Sequence, residues 1–219
     1  MLQIAGIELL PHWPLFLGFV IAGLALNFVP GADMTFIITA AARGGRRDGI
    51  VAALGIGFGT LVHICAAVLG LSALLASSAT AFNIVKWIGA AYLLYIAVSM
   101  LRSGPEQSEQ AAPQESRSGW QLLRAAMLVN ILNPKVALFF LAFLPQFVDP
   151  NARVPALQIL CLGLWFDLVA TIVNIGIATV TAATANRLRQ MSWIGTAARW
   201  FAATILGGLA LKLAFERRN

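Results

Sequence analysis

Asn27-Phe28-Val29-Pro30-Gly31-Ala32-Asp33-Met34 interrupts an apolar run, residues 15–42, that is long enough to cross a bilayer. Pro30 has no backbone N–H, so the carbonyl of Leu26 loses its helical partner, and Gly31 loosens the turn further. Asp33 follows just past the break. In hydrocarbon, such irregular backbone survives only where protein or a water-filled cavity receives the freed polar groups. A carboxylate at that depth costs roughly 2.5–3.5 kcal/mol on insertion scales and by default marks a functional site. The stretch predicts a membrane protein that moves something polar.

The composition agrees. The chain is 59% hydrophobic and 11% charged, with a mean hydropathy of +0.82, against about 25% charged residues in soluble domains. Fifteen bases against nine acids give a formal net charge of +6. The bases sit in short loops between apolar runs, where they read as topology signals rather than as a nucleic-acid surface. Residues 1–14 have neither a basic n-region nor a small-residue cleavage site, so a cleavable signal peptide is not expected. Cys65 and Cys161 lie inside apolar runs, outside any CxxC or Cys/His cluster, and read as small buried hydrophobes. No cofactor and no metal site are called for.

Runs 15–42, 49–75, 82–101, 122–148, 154–183 and 193–214 each approach or exceed the ~20 residues of a span. Trp13, Trp87, Trp120, Trp193 and Trp200 fall near run ends, as an interfacial belt requires. Segment 102–119, RSGPEQSEQAAPQESRSG, reads as a flexible, solvated linker between residues 1–101 and residues 120–219, two halves of three spans each. Counting basic residues places Arg43, Arg46, Arg47, Arg102, Arg117, Arg124, Arg187 and Arg189 inside, hence a cytoplasmic linker and both termini outside; Arg217 and Arg218 in the tail dissent.

Aligning the prolines exposes an internal repeat. LNFVPGADMTFI contains Pro30 and NILNPKVALFFL contains Pro134; each proline has asparagine shortly before it and phenylalanine six residues later, Phe36 and Phe140. A half with an odd number of spans obliges its copy to cross in the opposite sense. The expected fold is therefore an all-α membrane protein of about six transmembrane helices, in two inverted three-helix repeats with broken first and fourth helices. Paired breaks of this kind point to a transporter site near the midplane.

Pro134 frees the carbonyl of Asn130 as Pro30 frees that of Leu26, and each following half-helix starts with unpaired N–H groups. Free carbonyls suit an ammonium group and helix N-termini suit a carboxylate, so the pair of breaks suits an amino acid. A proline kink that only shapes packing is the plainer alternative. Asp33 reads as a proton carrier or amine ligand, or else as a helix cap. Lys135, a cation at a half-helix N-terminus, requires an anionic partner in Asp33, Asp167 or a substrate carboxylate, unless it snorkels to the interface.

Asp167, Thr171 and Asn174 share one helix face, as do Thr60 and His63; either stripe lines a path or makes interhelical hydrogen bonds. The expected substrate and proton path comprises Asn27, Pro30, Gly31, Asp33, His63, Asn130, Asn133, Pro134, Lys135, Asp167 and Asn174. The GxxxG spacing from Gly55 to Gly59 lets another helix come close, and a homo-oligomer is compatible with the sequence. Without HExxH or GxSxG, an enzyme is not expected.

Four segments together resemble the LysE/RhtB family of bacterial amino-acid exporters: NFVPGADM at 27–34, RRDGIVAALGIGFGTLVH at 46–63, GAAYLLYIAVSMLR at 89–102 and NILNPKVALFFLAFLPQFVD at 130–149. The resemblance implies a six-span inner-membrane antiporter that exports an amino acid, driven by protons, with both breaks lining the path. The first motif departs from the usual PGPDM, with Ala32 in place of the second proline, which softens that break. Thr60 stands where many relatives have an acidic or small residue. The rival reading is an exporter of a metal cation or another small solute in the same superfamily, whose mark would be a His/Cys/Asp cluster.

Overall fold

The computed structural model describes residues 3–4, 7–71, 118–149 and 151–188, with isolated positions 87, 91, 94, 95, 98 and 204. Apart from those isolated positions, the expected third and sixth spans lie outside the described residues, as do most of the linker, Trp193 and Trp200. Apart from a two-residue ribbon, β1 (Gln3–Ile4) with β2 (Ile7–Glu8), the described elements are helical.

Helix α1 (Trp13–Phe28) starts with a proline in its first turn, where the missing N–H costs nothing. It ends where Pro30 cannot continue it. After the break, α2 runs Ala32–Ala66 and is prolonged by a π-helical turn, Ala67–Leu71. It is not straight. Gly45 has φ +74°, a conformation that side chains resist. A Cβ built on Gly49 would lie 2.7 Å from the Ala41 Cβ, whereas eight residues of straight helix span about 12 Å. The chain thus folds back at Gly45, and arms 32–44 and 46–66 pack as a hairpin whose seam holds Ile37, Ala41, Ala52, Ala53 and Ile56. The sequence suggested a loop between the first two runs; the turn is a single non-helical residue.

Helix α3 (Gly119–Ile131) opens on a reciprocal cap: the Gln121 N–H donates to Ser118 Oγ, and the Ser118 N–H to Gln121 Oε1. After a second break comes α4 (Pro134–Leu138), continued by a π turn at Phe139–Phe143 and a 3-10 turn at Leu144–Phe147. The segments on either side of this break meet at a bend of 49°. Helix α5 spans Pro155–Leu188.

By length and apolar composition alone, two stretches among the described residues could cross a membrane, Ala32–Gly70, which contains the turn at Gly45, and Pro155–Thr184, or three if the bent pair around Pro134 is one span. An aromatic core of Phe19, Phe139, Phe140, Phe143, Phe147 and Phe166 joins α1, the α4 segment and α5, with Phe139 and Phe166 centred 4.7 Å apart. Gly55 and Gly59 let α2 press against α3: a Cβ on Gly59 would stand 2.7 Å from the Asn130 Cβ. Large apolar side chains such as Trp13, Ile21, Leu168 and Ile172 face outward, as lipid contact allows.

Candidate functional site

The two breaks resolve their freed carbonyls in the same way. Leu26 O takes the Val29 N–H at 3.2 Å, and Asn130 O takes the Asn133 N–H at 2.9 Å. Each break is thereby closed by a tightened last turn immediately before its proline. Asn133 then caps α4, its Oδ1 accepting the Lys135 N–H at 3.0 Å.

The breaks also reach across to each other. Lys135 Nζ donates to the Val29 carbonyl at 3.1 Å, beside Gly31, where an added Cβ would stand 3.2 Å from the ammonium nitrogen. In the other direction, Asn130 Nδ2 donates to Asp33 Oδ2 at 3.0 Å. Asp33 is buried, and its second oxygen, Oδ1, has no hydrogen-bond partner. Asp33, one of the anionic partners the sequence offers Lys135, takes the Asn130 amide instead, and the Lys135 ammonium takes the Val29 carbonyl. The break itself supplies the reason: the chain turns at Pro30 and presents the Val29 carbonyl to the lysine.

Asn130 is the hub. Its side-chain oxygen accepts from Thr60 Oγ1 at 3.4 Å, a proton shared with Ile56 O. Its main-chain carbonyl is 3.0 Å from His63 Nε2, so that ring nitrogen carries a proton and donates it. The imidazole lies stacked on Phe140. Thr60 and His63 therefore do share a task, holding Asn130.

Asp33, Lys135, Asn130, Thr60, Asn27 and Asn174 line one cleft, together with an apolar wall that includes Ile56, Phe166 and Ala170. Its interior volume is about 30 Å³, room for a few waters at roughly 10–15 Å³ each and too little for an amino acid. The Nδ2 atoms of Asn27 and Asn133 are buried without partners. Asp167 does not line this cleft. Its carboxylate is hydrogen-bonded to Thr171, and its unpartnered Oδ1 lies 3.5 Å from where a Gly57 Cβ would be. The face that α5 turns to the cleft is Phe166, Ala170 and Asn174. Spacing alone singled out the adjacent stripe, and only Asn174 belongs to both. Among the described residues, no three His, Cys, Asp or Glu side chains converge as metal ligands would.

Two broken helices meet at a polar cleft inside an apolar helical body, the build of a membrane protein. Residues 24–217 match the LysE type translocator family, and the chain belongs to it. It is 30% identical to an uncharacterized membrane protein of Vibrio cholerae, over 87% of this chain and 92% of the relative. It is 32% identical to the homoserine/homoserine lactone efflux protein of Salmonella typhimurium, over 74% of this chain and 78% of the relative. With the leucine efflux protein of Klebsiella pneumoniae the identity is 26%, over 71% and 73%. No solved structure matches the chain.

Proposed function

We propose that this protein exports an amino acid across the inner membrane in exchange for protons, by alternating access around its two broken helices. One observation carries the reading: both breaks open on the same cleft, with a free oxygen of Asp33 and the Lys135 ammonium on its wall. A zwitterion presents the complementary pair of charges. Relatives that export leucine and homoserine support the choice of cargo.

The substrate ammonium binds Asp33 Oδ1, which needs a donor, and its carboxylate draws Lys135 away from the Val29 carbonyl. Protonation of Asp33 then weakens its hold on the ammonium and couples release to the proton gradient. Because the cleft is too small for the cargo as it stands, α4 must move away from the start of α2 to admit it. Gly31 and Lys135, the residues directly after the two prolines, touch each other. Contact between equivalent positions supports two inverted three-helix repeats related by an axis through the site, and hence six spans.

The test is efflux from proteoliposomes loaded with amino acids under an imposed pH gradient. Wild type should pump against the amino-acid gradient. Asp33→Asn, which keeps the size and loses the titration, should not, while remaining in the membrane at wild-type level. Continued pumping by Asp33→Asn with an unchanged pH dependence would remove Asp33 from the coupling.

A further inference from the structure

We propose that His12 and Asp149 latch one end of the transport path, holding α1 against the α4 segment until the histidine loses its charge. The proposal rests on the transport reading above and adds a gate to it. His12 Nδ1 lies 2.8 Å from Asp149 Oδ2. These residues terminate the same two segments that form the cleft. Helix α1 runs from His12 to Leu26 and Asn27 on the cleft wall, and the α4 segment runs from Lys135 and Val136 on that wall back to Asp149. Between cleft and ion pair, aromatic rings seal the two segments together. Phe19 packs on Phe139 and Phe147, with ring centres 6.2 and 5.6 Å away, and Phe143 packs on Phe147 at 5.0 Å. All four are buried. A polar solute that leaves the cleft between α1 and the α4 segment must part this layer, and the latch ties the ends above it.

Asp149 is the fixed member of the pair. The Asn151 N–H donates to its Oδ1, and its own N–H donates to Oε1 of the buried Gln158 in α5, each at 2.9 Å. Its side chain is 3% exposed, whereas that of His12 is 45% exposed and free to swing into water. With the ring charged, that swing parts a buried carboxylate from its counter-ion; with the ring neutral, it breaks a weaker hydrogen bond. Histidine ordinarily changes charge between about pH 5 and pH 8. The latch therefore holds at the acid end of that range and loosens as the pH rises through it. Among the described residues, Asp149 is the charged group paired with His12. Glu8, four residues before the histidine, and Arg153, four residues past the carboxylate, are the nearest other charges along these two segments.

The experiment uses the full-length protein in detergent, with Cys65 and Cys161 replaced by alanine and Ala22→Cys added. Ala22 lies one turn past Phe19 towards the cleft, in the same buried core. At about pH 5 a water-soluble methanethiosulfonate should label this cysteine about fivefold more slowly than in the same chain carrying His12→Gln, the shift that a part-exposed ion pair supports. At about pH 8 the two rates should converge. Both chains carry the same thiol, so its own ionisation cancels from the ratio. Asp149→Asn should act as His12→Gln does. Hydrogen exchange over residues 139–148, measured without Ala22→Cys, should show the same pattern and keeps the test intact where that cysteine disturbs the core. A ratio that does not change between the two pH values overturns the latch, and so does a cysteine that stays unlabelled in every variant. Neither measurement needs cargo to move. Absent efflux in the proteoliposome test removes the transport reading, whereas an unchanged ratio beside intact efflux removes the latch alone.

Discussion

Asn130 holds the two halves of the site in register through three of its atoms. Its Nδ2 donates to Asp33, its Oδ1 accepts from Thr60, and its carbonyl accepts from His63. A hydrogen bond to a charged group contributes about 1.5–3 kcal/mol, and a buried charge that loses its donor is destabilised by a similar amount. Asn130→Ala should therefore lower stability in detergent by about 1.5–3 kcal/mol, and Asp33→Asn by less, because its amide oxygen can still accept from Asn130 Nδ2. The double mutant should fall short of the sum by about 0.5–3 kcal/mol, the coupling of groups in one network. Strict additivity in chemical unfolding would mean that the Asn130–Asp33 bond does not persist in the membrane protein. Lys135→Met should couple to Asp33→Asn more weakly than Asn130→Ala does, since the ammonium rests on the Val29 carbonyl.

At the level of elements, the glycines of α2 separate what packing forbids from what it merely prefers. A Cβ on Gly59 would meet the Asn130 Cβ at 2.7 Å and the Met127 carbonyl at 2.8 Å, and a backbone carbonyl inside a helix cannot step aside. Gly59→Ala should cost about 1–3 kcal/mol as an overpacked contact and should disturb Asn130, reducing efflux as well. On Gly57 the obstruction is the Thr171 hydroxyl at 2.8 Å, which can rotate, so Gly57→Ala should be milder. Gly176 has nothing within 4 Å and serves as the control; its alanine variant should match wild type. Equal thermal stability across the three variants would dismiss the close α2–α3 approach.

The same elements show what was legible beforehand. Both breaks could be read from the sequence because a missing N–H is a local fact about proline. The hairpin seam at Gly45 and the choice of α5 face were not. Which side of a helix meets its neighbour depends on tertiary contacts, such as Gly23 making room for the Phe166 ring. Asp167 was singled out as an ionisable residue in an apolar run, a signal that does not say which way the carboxylate turns. Phe166 and Ala170 went unremarked because an apolar residue in a membrane helix carries no signal of its own. Thr60 was noticed as a polar residue, but its bond to Asn130 joins positions far apart in sequence.

For the molecule as a whole, orientation follows from two ends that the structure ties down separately. His12 Nδ1 lies 2.8 Å from the buried carboxylate of Asp149, so the start of α1 and the connection between α4 and α5 share one end of the helical body. The Asn151 N–H fixes the same carboxylate at 2.9 Å. The turn at Gly45, reached after α1 and the first arm of α2 have run their length, lies at the other end and exposes Arg43, Arg46 and Arg47. Basic residues are enriched on the cytoplasmic side, so the Gly45 turn is expected inside and the His12–Asp149 end outside. In a background with Cys65 and Cys161 replaced by alanine, Asn151→Cys should react with an impermeant thiol reagent added to intact cells, and Ser108→Cys should react only after lysis. The two positions are expected to behave oppositely if the segments on either side of Pro134 together form one broken span. Labelling of Ser108→Cys in intact cells with protection of Asn151→Cys would invert the molecule, and an exporter driven by inward proton flow would then have to load and release at the opposite faces.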